Sequence, residues 1–151
     1  MAFLLDTNVL SELRKAGRCD DGVAAWFRST AATDLFTSVI VVGEIRRGVE
    51  SLRRRDPASA QHLDRWLRSV VATFNHRILG VDLAVAERWG ILTAGSALPL
   101  EDALIAASAL HHGLTLVTRN TRDVRRTGVA TLNPWSFEDG SGKVRKSAAD
   151  E

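Results

Sequence analysis

The feature that most constrains this chain is a recurring pair: a short unbroken apolar run, then a longer stretch with helical spacing. "FLL" (3–5) leads into "DTNVLSELRK", "LFTSV" (35–39) leads into "IVVGEIRRGVESLR", and "LTLVT" (114–118) follows "LEDALIAASALHHG". A continuous apolar run of this length suits a strand covered on both faces, as in a parallel sheet. Parallel neighbours need a crossover connection, and a helix is the usual one. Strands are expected over 3–5, 35–39, 77–81, 114–118 and 129–132. Helices are expected over 8–15, 22–30, 40–54, 58–74, 83–94 and 100–112. Asp20, Asp21 and Asp82 are N-cap residues in this reading, Pro57 ends a helix before it, and Gly113 closes another. The expected fold is α/β: an α/β/α sandwich around a central, mostly parallel five-stranded sheet. Ligand sites in such sheets lie at the carboxyl ends of the strands.

The chain has 151 residues, the size of one domain with a real core. Residues 1–137 are expected to form that domain, and "EDGSGKVRKSAADE" (138–151) a polar tail. No apolar run reaches the ~18 residues of a membrane span. No basic segment followed by a long apolar stretch marks a secretory signal. Cys19 is the sole cysteine, which excludes an intrachain disulfide and favours a cytoplasmic setting. Three lysines (15, 143, 146) leave 17 of the 20 basic residues as arginine, at a net charge of only +2. Arginine suits phosphate oxygens, although a coding bias explains the excess equally well.

Four acids stand where this fold does not need them. Asp6 follows the first strand. Glu44 shares a helix stripe with Val41, Ile45, Gly48, Val49 and Leu52, opposite Arg46, Arg47, Arg53 and Arg54. Asp102 shares a face with Ile105, Ala106 and Ala109 in the first turn of its helix. Taken alone, Asp102, or Glu101 beside it, is an ordinary cap. Asn120 and Asp123 follow the fourth strand, where a polar turn is the ordinary reading. Together, all four acids fall on one rim of a parallel sheet. Clustered carboxylates repel, and a hard divalent cation such as Mg2+ or Mn2+ relieves that repulsion. His62, His76, His111 and His112 lack ligand spacing, and His111-His112 reads as a pair at a helix C-terminus.

"LLDTNVLSEL", "SVIVVGEIRRGVE", "LPLEDALIAASALHHGLTLVTRNTRDV" and "LNPW" together resemble the PIN domain in its VapC toxin form, close to the FitB-like branch. The resemblance runs from Phe3 to about Trp135. It implies a Mg2+-dependent endoribonuclease, the toxin of a type II toxin–antitoxin pair. The family's acids map onto Asp6, Glu44 and Asp102. The fourth falls on Asp123, because this chain has Asn120 where some members carry an aspartate. Thr7, Asn8, Thr118 and Asn120 match polar positions that orient carboxylates or the attacking water. The resemblance further implies a homodimer and a small VapB-like antitoxin.

In this reading Asp6 and Asp102 touch the metal, with Mn2+ as a substitute for Mg2+. Glu44 holds a water or acts as base, and Asp123 completes the acidic pocket. An acidic pocket repels RNA, so cations must position the phosphates; Arg14, Lys15, Arg46, Arg47, Arg119 and Arg122 are the candidates. Trp26, Trp66, Trp89 and Trp135 are expected as core or interface anchors rather than stacking platforms. The alternative is a non-catalytic nucleic-acid or partner-binding module on the same fold, which has no use for four acids on one rim. A receiver-type phosphoacceptor domain needs a lysine at the end of a late strand, and no lysine stands there.

Overall fold

The computed structural model describes residues 1–140. β1 (Phe3–Leu5), β2 (Leu35–Ser38), β3 (Ile78–Leu79), β4 (Thr115–Val117) and β5 (Thr131–Leu132) form one sheet in the order β3-β2-β1-β4-β5. Every pairing is parallel, with Phe3 opposite both Leu35 and Thr115. β1 is therefore the central strand, and Leu4 and Leu5 are fully buried. That burial on both faces is why "FLL" shows no alternation.

Among the described residues seven α-helices flank the sheet: α1 (Thr7–Leu13), α2 (Asp21–Ser29), α3 (Val39–Arg53), α4 (Pro57–Phe74), α5 (Leu83–Thr93), α6 (Leu100–His112) and α7 (Thr121–Val124). Several starts are written locally. The side chains of Asp20, Ser38, Asp56 and Asp82 accept hydrogen bonds from the first free N–H groups of α2, α3, α4 and α5. Pro57 opens α4, where its missing N–H costs nothing. Gly113 closes α6 at φ 64°, a left-handed turn that glycine adopts without strain. Val41, Ile45 and Val49 of α3, Leu67 and Val70 of α4, and Ile105, Ala106 and Ala109 of α6 pack with β1 and β4 into one core. Trp26 is part of it, edge-on to Phe3 at 5.4 Å.

The boundaries differ from expectation for identifiable reasons. β2 stops at Ser38, because its hydroxyl turns back to accept from Ile40 N at 3.1 Å and Val39 already begins α3. β3 is two residues long rather than spanning 77–81. Arg77 closes a single 3-10 turn, and its guanidinium donates to the carbonyls of Ala32, Leu35 and Thr73. β5 begins at Thr131 rather than 129, after a left-handed Gly128 (φ 78°). Residues 120–123 are not merely a turn: Thr121–Val124 forms the short α7. Of the expected tail, 138–140 is exposed loop and 141–151 lies outside the described residues.

The topology selects one place on the sheet. From β1 the chain builds outward through β2 and β3, then returns to add β4 and β5 on the other side of β1. The strand order reverses between β1 and β4, so their carboxyl ends open a crevice. Asp6 and Thr118 are the residues immediately after those two strands. No helix among the described residues is long and apolar enough to cross a membrane.

Candidate metal centre

Asp6 is fixed from several directions. Its backbone N–H donates to Val117 O at 3.0 Å, which ties the end of β1 to the end of β4. As N-cap of α1, it accepts from Thr7 N at Oδ1 (2.7 Å). Its Oδ2 accepts from the Thr118 hydroxyl at 2.7 Å and from Asn8 Nδ2 at 3.3 Å. Thr118 is fully buried, and its oxygen also accepts from Asn8 Nδ2 (3.3 Å) and Asn120 N (3.1 Å). Asn8 Oδ1 in turn accepts from Arg119 N at 3.2 Å. Asp6, Asn8, Thr118 and the backbone of 119–120 thus form one closed network across the crevice.

Three further acids reach this network from other elements. Glu44 lies on α3, half-buried, between the buried Val41 and Ile45. Its pKa is raised, first by burial, then by the charge of Asp6, and further by Asp102 and Glu101; the Thr7 side chain pulls the other way. Asp102 lies in the first turn of α6 and is also half-buried. Its pKa is raised by burial first, then by Asp6, Asp123 and Glu101. Asp123 is exposed on α7. Asp6, Glu44 and Asp102 are therefore within electrostatic reach of one another, and Asp123 within reach of Asp102.

The ordinary cap explanation applies to Glu101 rather than Asp102. The N-cap of α6 is Pro99, and Glu101 interacts with its own backbone N–H and with Arg47 at 3.3 Å. Among the described residues Asp102 has no such partner to account for its place. Nearby, Glu44 Oε1 and Thr7 Oγ1 are buried without a well-formed hydrogen bond among the described residues, although the Thr7 side chain stands close enough to Glu44 to lower its pKa. Such orphaned oxygens are costly unless a cation or an ordered water serves them.

The donor set is hard oxygen throughout, which suits Mg2+ or Mn2+ and not zinc. Among the described residues no three His, Cys, Asp or Glu side chains converge closely enough to cage an ion by themselves.

Comparison with known proteins gives the family. Residues 3–129 match the PIN domain. The chain belongs to the PIN domain family. This PIN domain is 36% identical over 138 residues to the toxin FitB of Neisseria gonorrhoeae, covering 88% of this chain and 98% of that one. It is 33% identical over 141 residues to the VapC ribonuclease Y4jK of Sinorhizobium fredii, covering 88% and 97%. Among solved structures, FitAcB from Neisseria gonorrhoeae superposes with a TM-score of 0.80 at 35% identity, covering 89% of this chain and 99% of that one.

The basic residues of this PIN domain are differently committed. Arg14 and Lys15 lie at the far end of α1 from Asp6; Arg14 stacks on Trp66 at 5.8 Å, and Lys15 pairs with Glu12 at 2.7 Å. Arg46 pairs with Asp64 at 2.9 Å and Glu50 at 3.4 Å, bridging α3 to α4. Arg47 reaches Glu101, beside Asp102. Arg119 lies over the Trp135 ring at 5.0 Å, and Arg122 is exposed on α7. His111 and His112 end α6, edge-to-face at 4.7 Å.

Two residues of this neighbourhood escaped the sequence reading. Glu101 was visible only as an alternative cap. Glu12 is a buried acid four residues beyond Asn8, on the same face of α1, and that spacing was the available sign.

Proposed function

We propose that this PIN domain is a Mg2+-dependent endoribonuclease, the toxin of a toxin–antitoxin pair, acting in the cytoplasm. The observation that carries the reading is the mutual charge of Asp6, Glu44 and Asp102 beside the β1–β4 crevice, where burial and the charge of Asp6 shift Glu44 and Asp102 toward the neutral form. A structural ion cluster would carry balancing cations inside it; among the described residues Glu44 and Asp102 form no ion pair, and the charge of Asp6 raises both pKa values. The names of the relatives, a toxin and a VapC ribonuclease, support the substrate class.

Asp6 and Asp102 would hold the ion, with Mn2+ as an alternative to Mg2+. Bound there, the ion supplies a lowered water pKa and a polarised phosphoryl oxygen. Thr118, Asn8 and Thr7 N–H keep the Asp6 carboxylate in one orientation. Glu44 is suited to accept a proton from the attacking water, because its raised pKa makes it a better base than an ordinary carboxylate. Asp123 adds negative charge on the open side.

A second copy and an antitoxin complete the reading. Leu83 (76% exposed) and Ile91 (78%) on α5 leave an apolar face that a homodimer would cover. A solved toxin–antitoxin complex from Klebsiella pneumoniae, with a TM-score of 0.66 at 29% identity over 89% of this chain and 98% of that one, supports a protein partner. The test is RNA hydrolysis by the purified chain with Mg2+, then with EDTA. Cleavage that needs the metal and is lost in Asp6→Asn is the expected outcome. Binding of RNA without any cleavage favours the non-catalytic module instead.

A further inference from the structure

Of the candidate cations, Lys15 is paired with Glu12, Arg46 with Asp64 and Arg47 with Glu101, while Arg14 stacks on Trp66 at the far end of α1 from Asp6. Arg119 is different. It follows Thr118, the residue whose hydroxyl binds Asp6, and its own N–H is held by Asn8 Oδ1 at 3.2 Å. Its guanidinium lies over the Trp135 ring at 5.0 Å, and among the described residues it forms no ion pair. Stacking on a ring fixes the plane of a guanidinium while leaving its N–H groups unused.

Trp135 is itself fixed. Its backbone N–H donates to Asn133 Oδ1 at 3.0 Å, Pro134 beside it is buried, and its side chain packs against the core. On the other side stands α1. Asn8 and Glu12 share a face of that helix, about one 5.4 Å turn apart. Glu12 is held below the usual carboxylate range by Lys15 first, then by Asp20 N–H, with Arg119 contributing at longer range. Arg119 thus has its backbone beside Asn8 and Thr118, its guanidinium over Trp135, and Glu12 of α1 within electrostatic reach.

We propose that Arg119 is a positioning residue for RNA: it grips a backbone phosphate adjacent to the one at the acids, and Trp135 holds it ready. The proposal rests on the nuclease reading above. A preset arginine loses less side-chain freedom on binding than a free one, so its contact favours substrate capture. Because it acts beside the reacting phosphate, its removal weakens binding more than the chemical step.

The experiment measures KM, kcat and their salt dependence with Mg2+ on a single-stranded RNA pool of randomised sequence. Arg119→Ala should raise KM about tenfold, the scale of one charge-assisted hydrogen bond, with kcat within about threefold. The slope of log affinity against log salt should shrink by about 0.7, one phosphate contact on a single strand. Arg119→Lys should recover only part of the loss, since an ammonium keeps the charge but not the stacked plane. Trp135→Phe should stay near wild type, and Trp135→Leu should follow Arg119→Ala. If Trp135→Leu unfolds, the two Arg119 variants and Trp135→Phe still decide. An unchanged KM and salt slope in Arg119→Ala overturns the proposal, whatever that variant does to binding of a protein partner. A wild-type chain that cleaves no RNA with Mg2+ overturns the nuclease reading instead, and the proposal with it.

Discussion

Thr118→Val is the sharpest probe of the crevice, because it changes one oxygen to one methyl at a position with no exposure. The lost hydroxyl donates to Asp6 Oδ2 at 2.7 Å and accepts from Asn8 and from Asn120 N–H. A hydrogen bond to a charged group is worth about 1.5–3 kcal/mol net. Asp6 keeps its bonds from Thr7 N–H and Asn8, so we expect a loss near the middle of that range, about 2 kcal/mol. For a chain of this size each kcal/mol moves Tm by about 2–4 °C, which gives a drop of about 4–8 °C. The assay is thermal unfolding in EDTA of wild type, Thr118→Val, Asp6→Ala and the double variant. If Thr118 acts through Asp6, the double-mutant cycle should show a coupling above about 1 kcal/mol. Mg2+ affinity should also fall at least about tenfold, as expected when the group orienting a ligand is removed. Additive losses within about 0.5 kcal/mol would refute the reasoning, because the hydroxyl would then not be supporting the carboxylate.

Other outcomes follow from the same structure. Glu44 and Asp102 have folded pKa values raised above their unfolded ones, so their contribution to stability is lost as pH rises through those raised values. In EDTA, Glu44→Gln should therefore unfold at a higher temperature than wild type at neutral pH, with the advantage shrinking on acidification; an advantage that grows on acidification contradicts this. Ser38→Ala removes the cap of α3 and should cost about 1 kcal/mol in denaturant unfolding; a stability equal to wild type would contradict the capping role. Adding Mg2+ should raise the Tm of wild type, by mass action on the folded state, and leave Asp102→Asn unmoved.

What the sequence made legible was whatever is encoded locally. The α6 boundaries, the capping by Asp20 and Asp82 and the buried "FLL" strand all depend on residues within a turn of each other. The strand ends at Ser38 and Arg77 were misjudged because each side chain is used for something a strand pattern does not reveal: a cap in one case, three carbonyls in the other. The acids could be placed on one rim because a parallel sheet has only one carboxyl edge. Their mutual support could not: Thr118 on Asp6 joins residues 112 positions apart. The same holds for the basic residues, where only packing distinguishes Arg46, held by Asp64, from Arg119, laid on Trp135.

The central claim is that the β1–β4 crevice holds a hard divalent ion on Asp6 and Asp102. Crystals soaked in Mn2+ test it directly through anomalous scattering. The account predicts a peak within coordination distance of both carboxylates, absent from Asp6→Asn crystals. A peak elsewhere, or none at a Mn2+ concentration that supports RNA cleavage, would contradict it.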